Sequence, residues 1–243
     1  MSASGPPASV AAHALVESIE QPLATDELTR HLWGARRLRP GTSITITDGA
    51  GGWRLARLGS PGQLEPDGPV MAVPAPDPVT VAFAPVKGER PEWCVQKLTE
   101  VGVDRIVVLV CDHSVVRWEG SRAEGHLAKL ARVAAAAVEQ CRRVWLPTIV
   151  GPCSIDELTE PSADGLPRPW VRADGDGREL AGGDRAMLVG PEGGFSDRER
   201  ALVADAVRLG PHVMRAETAA MVAGASAVAL REHEVRAYHG EFG

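Results

Sequence analysis

The sequence lacks a long apolar run, a paired set of cysteines and an excess of positive charge, and each absence excludes a class of protein. No segment of the 243 residues reaches the roughly 18 consecutive apolar residues that a membrane-spanning helix requires. Residues 1–14 contain no cluster of Lys or Arg before an apolar run, so they do not resemble a secretory signal peptide. We therefore expect a cytoplasmic protein without a membrane anchor.

The four cysteines form no C-x-x-C pair, and no histidine stands at the spacing of a zinc ligand. Most of them lie in apolar or helical contexts, where a free cysteine behaves as a small hydrophobic residue. This pattern is typical of reduced thiols in the core of a cytosolic protein. We expect no disulfide and no bound metal.

The chain carries a net charge of −6, which argues weakly against nucleic-acid binding because contacts to phosphates need Lys and Arg. Two segments nevertheless contain more basic than acidic side chains. Residues 26–60 and residues 117–143 each contain six basic and three acidic side chains. A directed RNA-binding face has this distribution, but so do the solvated surfaces of ordinary helices, and charge alone does not separate the two.

The N-terminal part of the chain has the pattern of a small β-rich domain. Residues 41–58 alternate apolar and polar side chains around a D-G-A-G-G turn, which predicts a β-hairpin. We expect Ile44 and Ile46 on its first strand to face Trp53 and Leu55 on the second. Residues 60–78 hold six prolines and predict an irregular border between this domain and the rest.

Beyond the border, strand and helix patterns alternate, which predicts an α/β domain with a largely parallel sheet. The apolar runs are short, as in strands that are buried on both faces. Ser196 and Glu199 have the spacing of a capping box that begins a helix. Strands are predicted at 79–85, 106–110, 186–190 and 212–215, and helices at 91–102, 123–141 and about 217–236.

Two segments that follow predicted strands are candidates for a ligand site. Residues 188–196 read L-V-G-P-E-G-G-F-S, where three glycines and a proline impose a sharp turn and let a ligand approach the backbone. Residues 209–220 read L-G-P-H-V-M-R-A-E-T-A-A, with Glu and Thr suited to a helix N-terminus. Ligands of α/β folds bind at the carboxyl ends of parallel strands. An ordinary tight turn, or a local ion pair between Arg215 and Glu217, is the competing interpretation.

Two basic segments are candidates for contact with nucleic acid. V-K-G-E-R at 86–90 follows a strand, and E-Q-C-R-R at 139–143 lies near the predicted end of a helix. Arginines at such positions bind phosphates or bases in some proteins. In others they only interact favourably with the negative C-terminal end of the helix dipole. The residue types alone leave both interpretations open.

In this order, the segments resemble those of one family, the 16S ribosomal RNA (uracil-N3) methyltransferases, or RsmE family, of the SPOUT (α/β-knot) superfamily. Residues 30–49 are also similar to the small PUA-like RNA-binding barrel of that family. The shared motifs are K-x-E-R at 87–90, K-L-T-E-V-G-V at 97–103, E-Q-C-R-R at 139–143, G-P-E-G-G-F at 190–195 and L-G-P-x-V-M-R-A-E-T-A at 209–219. The resemblance covers almost the whole chain, but residues 150–185 depart from the family pattern and leave the first cofactor loop unplaced.

The resemblance implies an α/β fold in which a PUA-like β-barrel over residues 1–76 precedes a SPOUT methyltransferase domain with a trefoil knot over residues 77–243. It implies a homodimer that uses S-adenosylmethionine to methylate N3 of a uridine in the 16S RNA of the small ribosomal subunit. The implied cofactor-binding residues are Leu188, Gly190, Glu192, Gly193, Leu209, Met214, Arg215, Glu217, Thr218 and Ala219.

Uracil N3 carries a proton and is a poor nucleophile while neutral, so the site needs a base or a cation that stabilises the resulting anion. Arg215 suits the cationic role, and Glu217 either orients it or accepts the proton. The candidates for RNA contact are Arg36, Arg37, Arg39, Arg90, Arg142 and Arg143. Two alternatives stay open: a SPOUT enzyme that methylates a ribose 2′-OH or a transfer RNA, and a non-catalytic RNA-binding protein.

Overall fold

The chain divides into two units. One comprises residues 1–76 together with 135–146, and the other comprises residues 77–134 and 147–243. The structure is a computed structural model that describes residues 5–160 and 169–241. Within those residues, no helix combines the length and the apolar character that crossing a membrane requires.

The first unit is built on a four-stranded sheet in the order β1-β2-β3-β4. β1 runs parallel to β2, and the other neighbours are antiparallel. A short helix, α1, is capped by the Thr25 side chain and leads directly into a π-helical segment at Arg30–Ala35. The elements are β1 (His13–Leu15), α1 (Asp26–Thr29), β2 (Ser43–Thr47), β3 (Gly52–Leu58) and β4 (Leu64–Ala72).

The predicted hairpin is confirmed as β2 and β3, but the expected facing residues are wrong. Ile44 pairs with Ala56 across the two strands, one residue away from the expected register. Directly opposite residues of an antiparallel pair point to the same face. Ile44, Ile46, Ala56 and Leu58 therefore share the core of this unit, where all four are buried.

The predicted irregular border is wrong over Leu64–Ala72, because these residues form β4. β4 lies at the edge of the sheet, after β3. An edge strand can include prolines such as Pro66 and Pro69, since one side of its backbone needs no hydrogen bond to another strand.

His13 is the buried histidine of the first unit. Its Nδ1 lies 2.8 Å from Thr45 Oγ1, and its Nε2 lies 3.1 Å from the Arg143 carbonyl oxygen. Burial lowers the pKa of His13 to about 4, with a further lowering from the charge of Arg142, and these effects outweigh the hydrogen bond to the Arg143 carbonyl. The folded unit therefore holds the ring in its neutral form.

We expect this unit to lose roughly 2–3 kcal/mol of stability from His13 as the pH falls from about 6.5 to about 4. The pKa is lower in the folded chain than in the unfolded chain, so the contribution is complete above the unfolded value and is lost on acidification. Chemical denaturation at several pH values, followed by tryptophan fluorescence, measures this loss. His13→Gln should flatten the profile and His31→Gln, at an exposed position, should not; an unchanged profile in His13→Gln contradicts the assignment.

The second unit contains a six-stranded sheet in the order β10-β8-β9-β5-β6-β7, and every pair is parallel. The largely parallel sheet predicted from the strand–helix alternation is confirmed. Short apolar strands such as β5 and β9 are buried along their whole length, as the sequence predicted. The strands are β5 (Thr80–Phe83), β6 (Arg105–Val110), β7 (Thr148–Ser154), β8 (Val171–Glu179), β9 (Ala186–Val189) and β10 (Ala206–Arg208).

The helices of this unit begin and end close to the predicted positions. α2 ends at Gly102, which adopts a left-handed conformation with φ of 102°, and the Ser196–Glu199 capping box begins α5. The predicted strand at 212–215 is wrong, since these residues form a loop before α6. The helices are α2 (Arg90–Val101), α3 (Gly120–Cys141), α4 (Ile155–Thr159), α5 (Asp197–Leu202) and α6 (Ala216–Glu241). Of α3, the residues up to 134 belong to this unit and those from 135 onward to the first.

Small residues let α2 and α6 pack closely on each other. A Cβ added at Gly224 would lie 2.8 Å from a methyl carbon of Leu98. Arg231 of α6 is buried and donates to Asp104 Oδ2 over 2.6 Å and to the Asp77 carbonyl oxygen over 3.1 Å. These contacts hold α6 against the edge at which β5 and β6 begin.

Candidate functional site

A cavity of about 610 Å³ lies at the carboxyl end of the parallel sheet in the second unit. Three segments form its wall. One follows β9, one follows β10, and the third is the middle of β8, beside the carboxyl end of β9. Ligands of parallel α/β sheets bind at this edge, and pockets for small molecules commonly have volumes of about 300–1,000 Å³. The lining residues are Ala173–Gly175, Val189–Glu192, Gly194, Phe195, Arg200, Arg208–Met214, Ala216 and Ala219.

The G-P-E-G-G-F segment after β9 forms one wall of the cavity. Its sharp turn includes Gly194 with φ of 71°, and the Gly194 N–H donates to the Pro191 carbonyl. Gly190 faces the buried ring of Phe195, since a Cβ added there would lie 3.1–3.3 Å from three ring carbons. A side chain at Gly190 is therefore incompatible with the present position of the ring.

The second wall comes from β8 and was not among the predicted site residues. Arg172 pairs with Ala206 of β10, but the next pair joins Arg178 to Val207. The residues between them bulge out of the ladder and place Ala173, Asp174 and Gly175 at the cavity. The sequence signal for this irregular strand is the Gly/Asp-rich run D-G-D-G at 174–177.

An arginine–aspartate–arginine cluster fixes this bulge. Asp174 Oδ2 accepts from both Arg172 and Arg200, the latter over 2.5 Å. Arg200 Nε also donates to the Phe195 carbonyl oxygen over 3.2 Å. The bulge of β8 and the turn after β9 are therefore joined by charge-assisted hydrogen bonds, which are stronger than neutral ones.

Glu199 is buried beneath the turn after β9 and joins it to the end of β6. Its Oε1 accepts from the Asp112 N–H and its Oε2 from the Ser196 N–H, both over 2.8 Å. On the surface of the same region, Arg198 lies between Asp112 and Asp156 and pairs with both. Both networks place the loop after β6 beside the wall of the cavity.

We expect Glu199→Ala to lower the free energy of unfolding by about 1–3 kcal/mol, because two N–H groups lose a charged acceptor. The same change should weaken binding of the cavity's ligand by about tenfold, since the turn after β9 loses its attachment to β6. Glu157→Ala is the matched control: Glu157 closes an equivalent capping box with Ser154, but it is exposed and does not line the cavity. Denaturation and ligand titration measure both effects, and equal losses of affinity in the two variants would contradict the prediction.

The structure places half of the predicted cofactor-binding residues at the cavity. These five are Gly190, Glu192, Leu209, Met214 and Ala219. Leu188 is fully buried inside β9. Gly193 does not line the cavity, and its carbonyl oxygen is 3.1 Å from His113 Nδ1. Arg215, Glu217 and Thr218 belong to the segment that enters α6 but are not among the residues that line the cavity.

Glu217 forms an ion pair with Arg90 rather than with its neighbour Arg215. Its Oε1 lies 3.5 Å from Arg90 Nη1, so the starts of α2 and α6 are joined. Its Oε2 is buried and has no hydrogen-bond partner among the described residues. Arg215 is exposed. The local ion pair between Arg215 and Glu217 that competed with a functional interpretation is therefore not formed.

The arginines predicted to contact RNA lie in both units. Arg36, Arg37 and Arg39 are exposed in the first unit, and Arg36 donates to the Ala11 carbonyl oxygen over 2.7 Å. Arg142 donates to the carbonyl oxygens of Pro7 and Val10.

These bonds give Arg142 a structural role in holding the N-terminal segment. The carbonyl oxygen of Arg143 lies within hydrogen-bond distance of His13 Nε2. Arg90, which belongs to the second unit, forms an ion pair with Glu217. Contact of the six arginines with RNA stays a prediction.

No cluster of metal-ligating side chains occurs in residues 5–160 and 169–235, over which side chains are described. Cys94 and Cys111 are buried, and burial raises the pKa of each thiol to about 12. None of the four cysteines forms a disulfide among the described residues. Cys94 and Cys111 have the environment of core thiols, as the sequence contexts predicted, whereas Cys141 and Cys153 are partly exposed.

Comparison with known proteins places this fold and cavity in one family. Residues 73–228 match the family model of the RNA methyltransferase domain. Ribosomal RNA small subunit methyltransferase E of Mycobacterium bovis is 33% identical over 212 residues, which span 79% of this chain and 80% of that protein.

Two solved structures have the same fold over nearly the whole chain. A probable rRNA-methyltransferase from Porphyromonas gingivalis is 26% identical, with a TM-score of 0.77 over 92% of this chain and 99% of that one. A methyltransferase from Legionella pneumophila, in complex with the bound cofactor SAM, is 25% identical, with a TM-score of 0.76 over 90% and 96%.

The parallel sheet, the cavity at its carboxyl end and the matched domain define an RNA methyltransferase. The structure therefore confirms the expected α/β fold. Within the class, the chain belongs to the family of ribosomal RNA small subunit methyltransferase E. The family identified from the motifs is therefore confirmed.

Proposed function

We propose that the chain transfers a methyl group from S-adenosylmethionine to N3 of a uridine in the 16S RNA of the small ribosomal subunit. The observation that carries this proposal is the cavity walled by G-P-E-G-G-F and L-G-P-x-V-M-R-A-E-T-A, in a chain whose curated relatives are named as small-subunit RNA methyltransferases. The Legionella pneumophila relative, described with bound SAM, supports the choice of cofactor.

The residues of the cavity suit S-adenosylmethionine. Phe195, Leu209 and Met214 offer apolar surface to an adenosine. The glycines that line the cavity have no side chain, so a bound adenosine can reach the backbone groups. A few charged side chains stand among these residues, as in small-molecule sites that combine an apolar wall with a few polar groups. When bound, S-adenosylmethionine supplies a methyl group activated by its sulfonium.

The chain's own residues have to make uracil N3 reactive and hold it in line with the donor. Glu217 is the proposed acceptor of the N3 proton. Its buried Oε2, which has no hydrogen-bond partner among the described residues, supports this role. The paired Arg90 holds its other carboxylate oxygen. Arg215 is exposed at the entrance of α6, where a cation can stabilise negative charge on a uracil oxygen.

We also propose that the four-stranded sheet of the first unit belongs to a PUA-like RNA-binding barrel, and that the domain border lies at residues 76 and 77. The exposed Arg36, Arg37 and Arg39 support an RNA-binding role for this unit. A target base would leave its stack to reach the cavity of the second unit. The proposed action on ribosomal RNA in turn favours a cytoplasmic location.

A trefoil knot and a homodimer complete the proposal. The strand order supports the knot: β8 lies between β9 and β10, and α6 nevertheless packs against β5 and β9. The chain after β10 therefore has to return past the segments that follow β8 and β9. The family resemblance supports the homodimer, and light scattering of the purified chain tests it.

The test is incubation with radiolabelled S-adenosylmethionine and small ribosomal subunits from a strain that lacks the enzyme, followed by nucleoside mass analysis. We expect 3-methyluridine in 16S RNA. A 2′-O-methylated nucleoside, or label in transfer RNA, would instead support the other SPOUT activities. No label, together with no affinity for S-adenosylmethionine or S-adenosylhomocysteine, would favour a non-catalytic RNA-binding protein. Naked 16S RNA run in parallel shows whether the assembled subunit is needed.

A further inference from the structure

Two arginines line the cavity, and only one of them is bound to other groups of the protein. Arg200 donates to Asp174 and to the Phe195 carbonyl oxygen. Arg208, the last residue of β10, is exposed and lines the same cavity. Its guanidinium forms no hydrogen bond or ion pair within residues 5–160 and 169–235. The cavity therefore contains one arginine whose charge is available to a ligand.

The position of Arg208 in the sheet strengthens this point. Arg208 stands in register with Glu179 of β8, a neighbour with which an arginine commonly forms an ion pair. No such pair forms among the described residues. The carboxylate of Glu179 is left to solvent, while the guanidinium lines the cavity.

The proposed ligand carries one anionic group. S-adenosylmethionine ends in an amino acid whose carboxylate is its only negative charge, and S-adenosylhomocysteine has the same end. A carboxylate that leaves water for a partly apolar cavity needs a charged or multiple hydrogen-bond partner. The planar fork of an arginine matches a carboxylate with two parallel hydrogen bonds.

The other charged side chains of the cavity do not suit this role. Asp174 and Glu192 are acidic and repel a carboxylate. Arg200 is already neutralised by Asp174, and its release would break the cluster that fixes the bulge of β8. We infer that Arg208 binds the carboxylate of the amino-acid end of S-adenosylmethionine, an inference that rests on the proposed function.

The test is calorimetric titration of the full chain with two ligands that differ by that carboxylate. One is S-adenosylhomocysteine, and the other is its decarboxylated analogue, S-adenosyl-3-thiopropylamine. We expect the unmodified chain to prefer S-adenosylhomocysteine by about tenfold, which corresponds to about 1.4 kcal/mol. In Arg208→Ala this preference should vanish through weaker binding of S-adenosylhomocysteine alone, and Arg208→Lys should restore part of it. Competition against radiolabelled S-adenosylhomocysteine extends the measurement to weak binders.

Arg132→Ala is the matched control, because Arg132 is an exposed arginine of the same unit that does not line the cavity. It should keep the full preference. Equal weakening of both ligands in Arg208→Ala would assign Arg208 a structural role and overturn the inference, as would an unmodified chain without preference. An unmodified chain that binds neither ligand would overturn the proposed function itself.

Discussion

Gly190→Val is expected to weaken binding of S-adenosylmethionine by up to about 100-fold. A Cβ at this position already meets three carbons of the Phe195 ring at 3.1–3.3 Å, and the two further methyl groups of valine have less space still. Phe195 is buried in a hydrophobic cluster with residues of β5, β6 and β9, so the ring can move only into the cavity or by disturbing that cluster. Overpacking of this kind costs about 1–3 kcal/mol, and about 2.7 kcal/mol corresponds to a hundredfold change in affinity.

Gly183→Val is the matched control for this variant. Gly183 is exposed in the turn between β8 and β9, and a Cβ there has no heavy atom within 4 Å. Calorimetric titration compares the two variants, and their thermal unfolding shows whether each is folded. Normal affinity in a folded Gly190→Val would mean that the turn after β9 does not form the wall of the cofactor site.

Arg215→Ala is expected to reduce kcat by about 100- to 1,000-fold, with the affinity for S-adenosylmethionine nearly unchanged. Arg215 does not line the cavity, so its removal leaves the cofactor's surroundings intact. If its cation stabilises the uracil anion, the loss belongs to the chemical step, and removal of one such charge-stabilising donor costs about this much. Single-turnover methylation of small subunits and a parallel cofactor titration separate the two effects.

Arg215→Lys and Glu217→Gln refine the assignment. Lysine keeps the positive charge and should recover part of the rate. Glutamine at 217 keeps the size of the side chain but cannot accept a proton as a carboxylate does, so the rate of methylation in Glu217→Gln should fall. Unchanged turnover in Arg215→Ala would remove Arg215 from the mechanism, whatever the result at Glu217.

The sequence predicted those elements whose determinants lie within a few residues. The helix α2 ends where Gly102 permits a left-handed conformation, and α5 begins at the Ser196–Glu199 capping box. The strands of the hairpin follow from local alternation around a glycine-rich turn. The motifs at 190–195 and 209–219 likewise identified two walls of the cavity and the family, because each is a continuous run of residue types.

Elements that depend on distant partners could not be predicted in the same way. Residues 64–72 form a strand in spite of two prolines because β3 offers them an edge position. Residues 212–215 have an apolar pattern but find no neighbouring strand, so they stay a loop at the cavity. The register between β2 and β3 differs by one residue from the expected one, since burial in the core selects Ala56 and Leu58.

The amino-acid sequence by itself determined the family, the alternation of strands and helices, and the segments that surround the ligand. Only the tertiary structure decided which side chains of those segments meet. It joined Glu217 to Arg90, placed Asp174 in the cavity through a bulge in β8, and left Arg208 without a partner among the described residues. The physical reason is that turns and caps act between neighbours in the chain, whereas ion pairs, strand register and cavities arise between residues far apart in it.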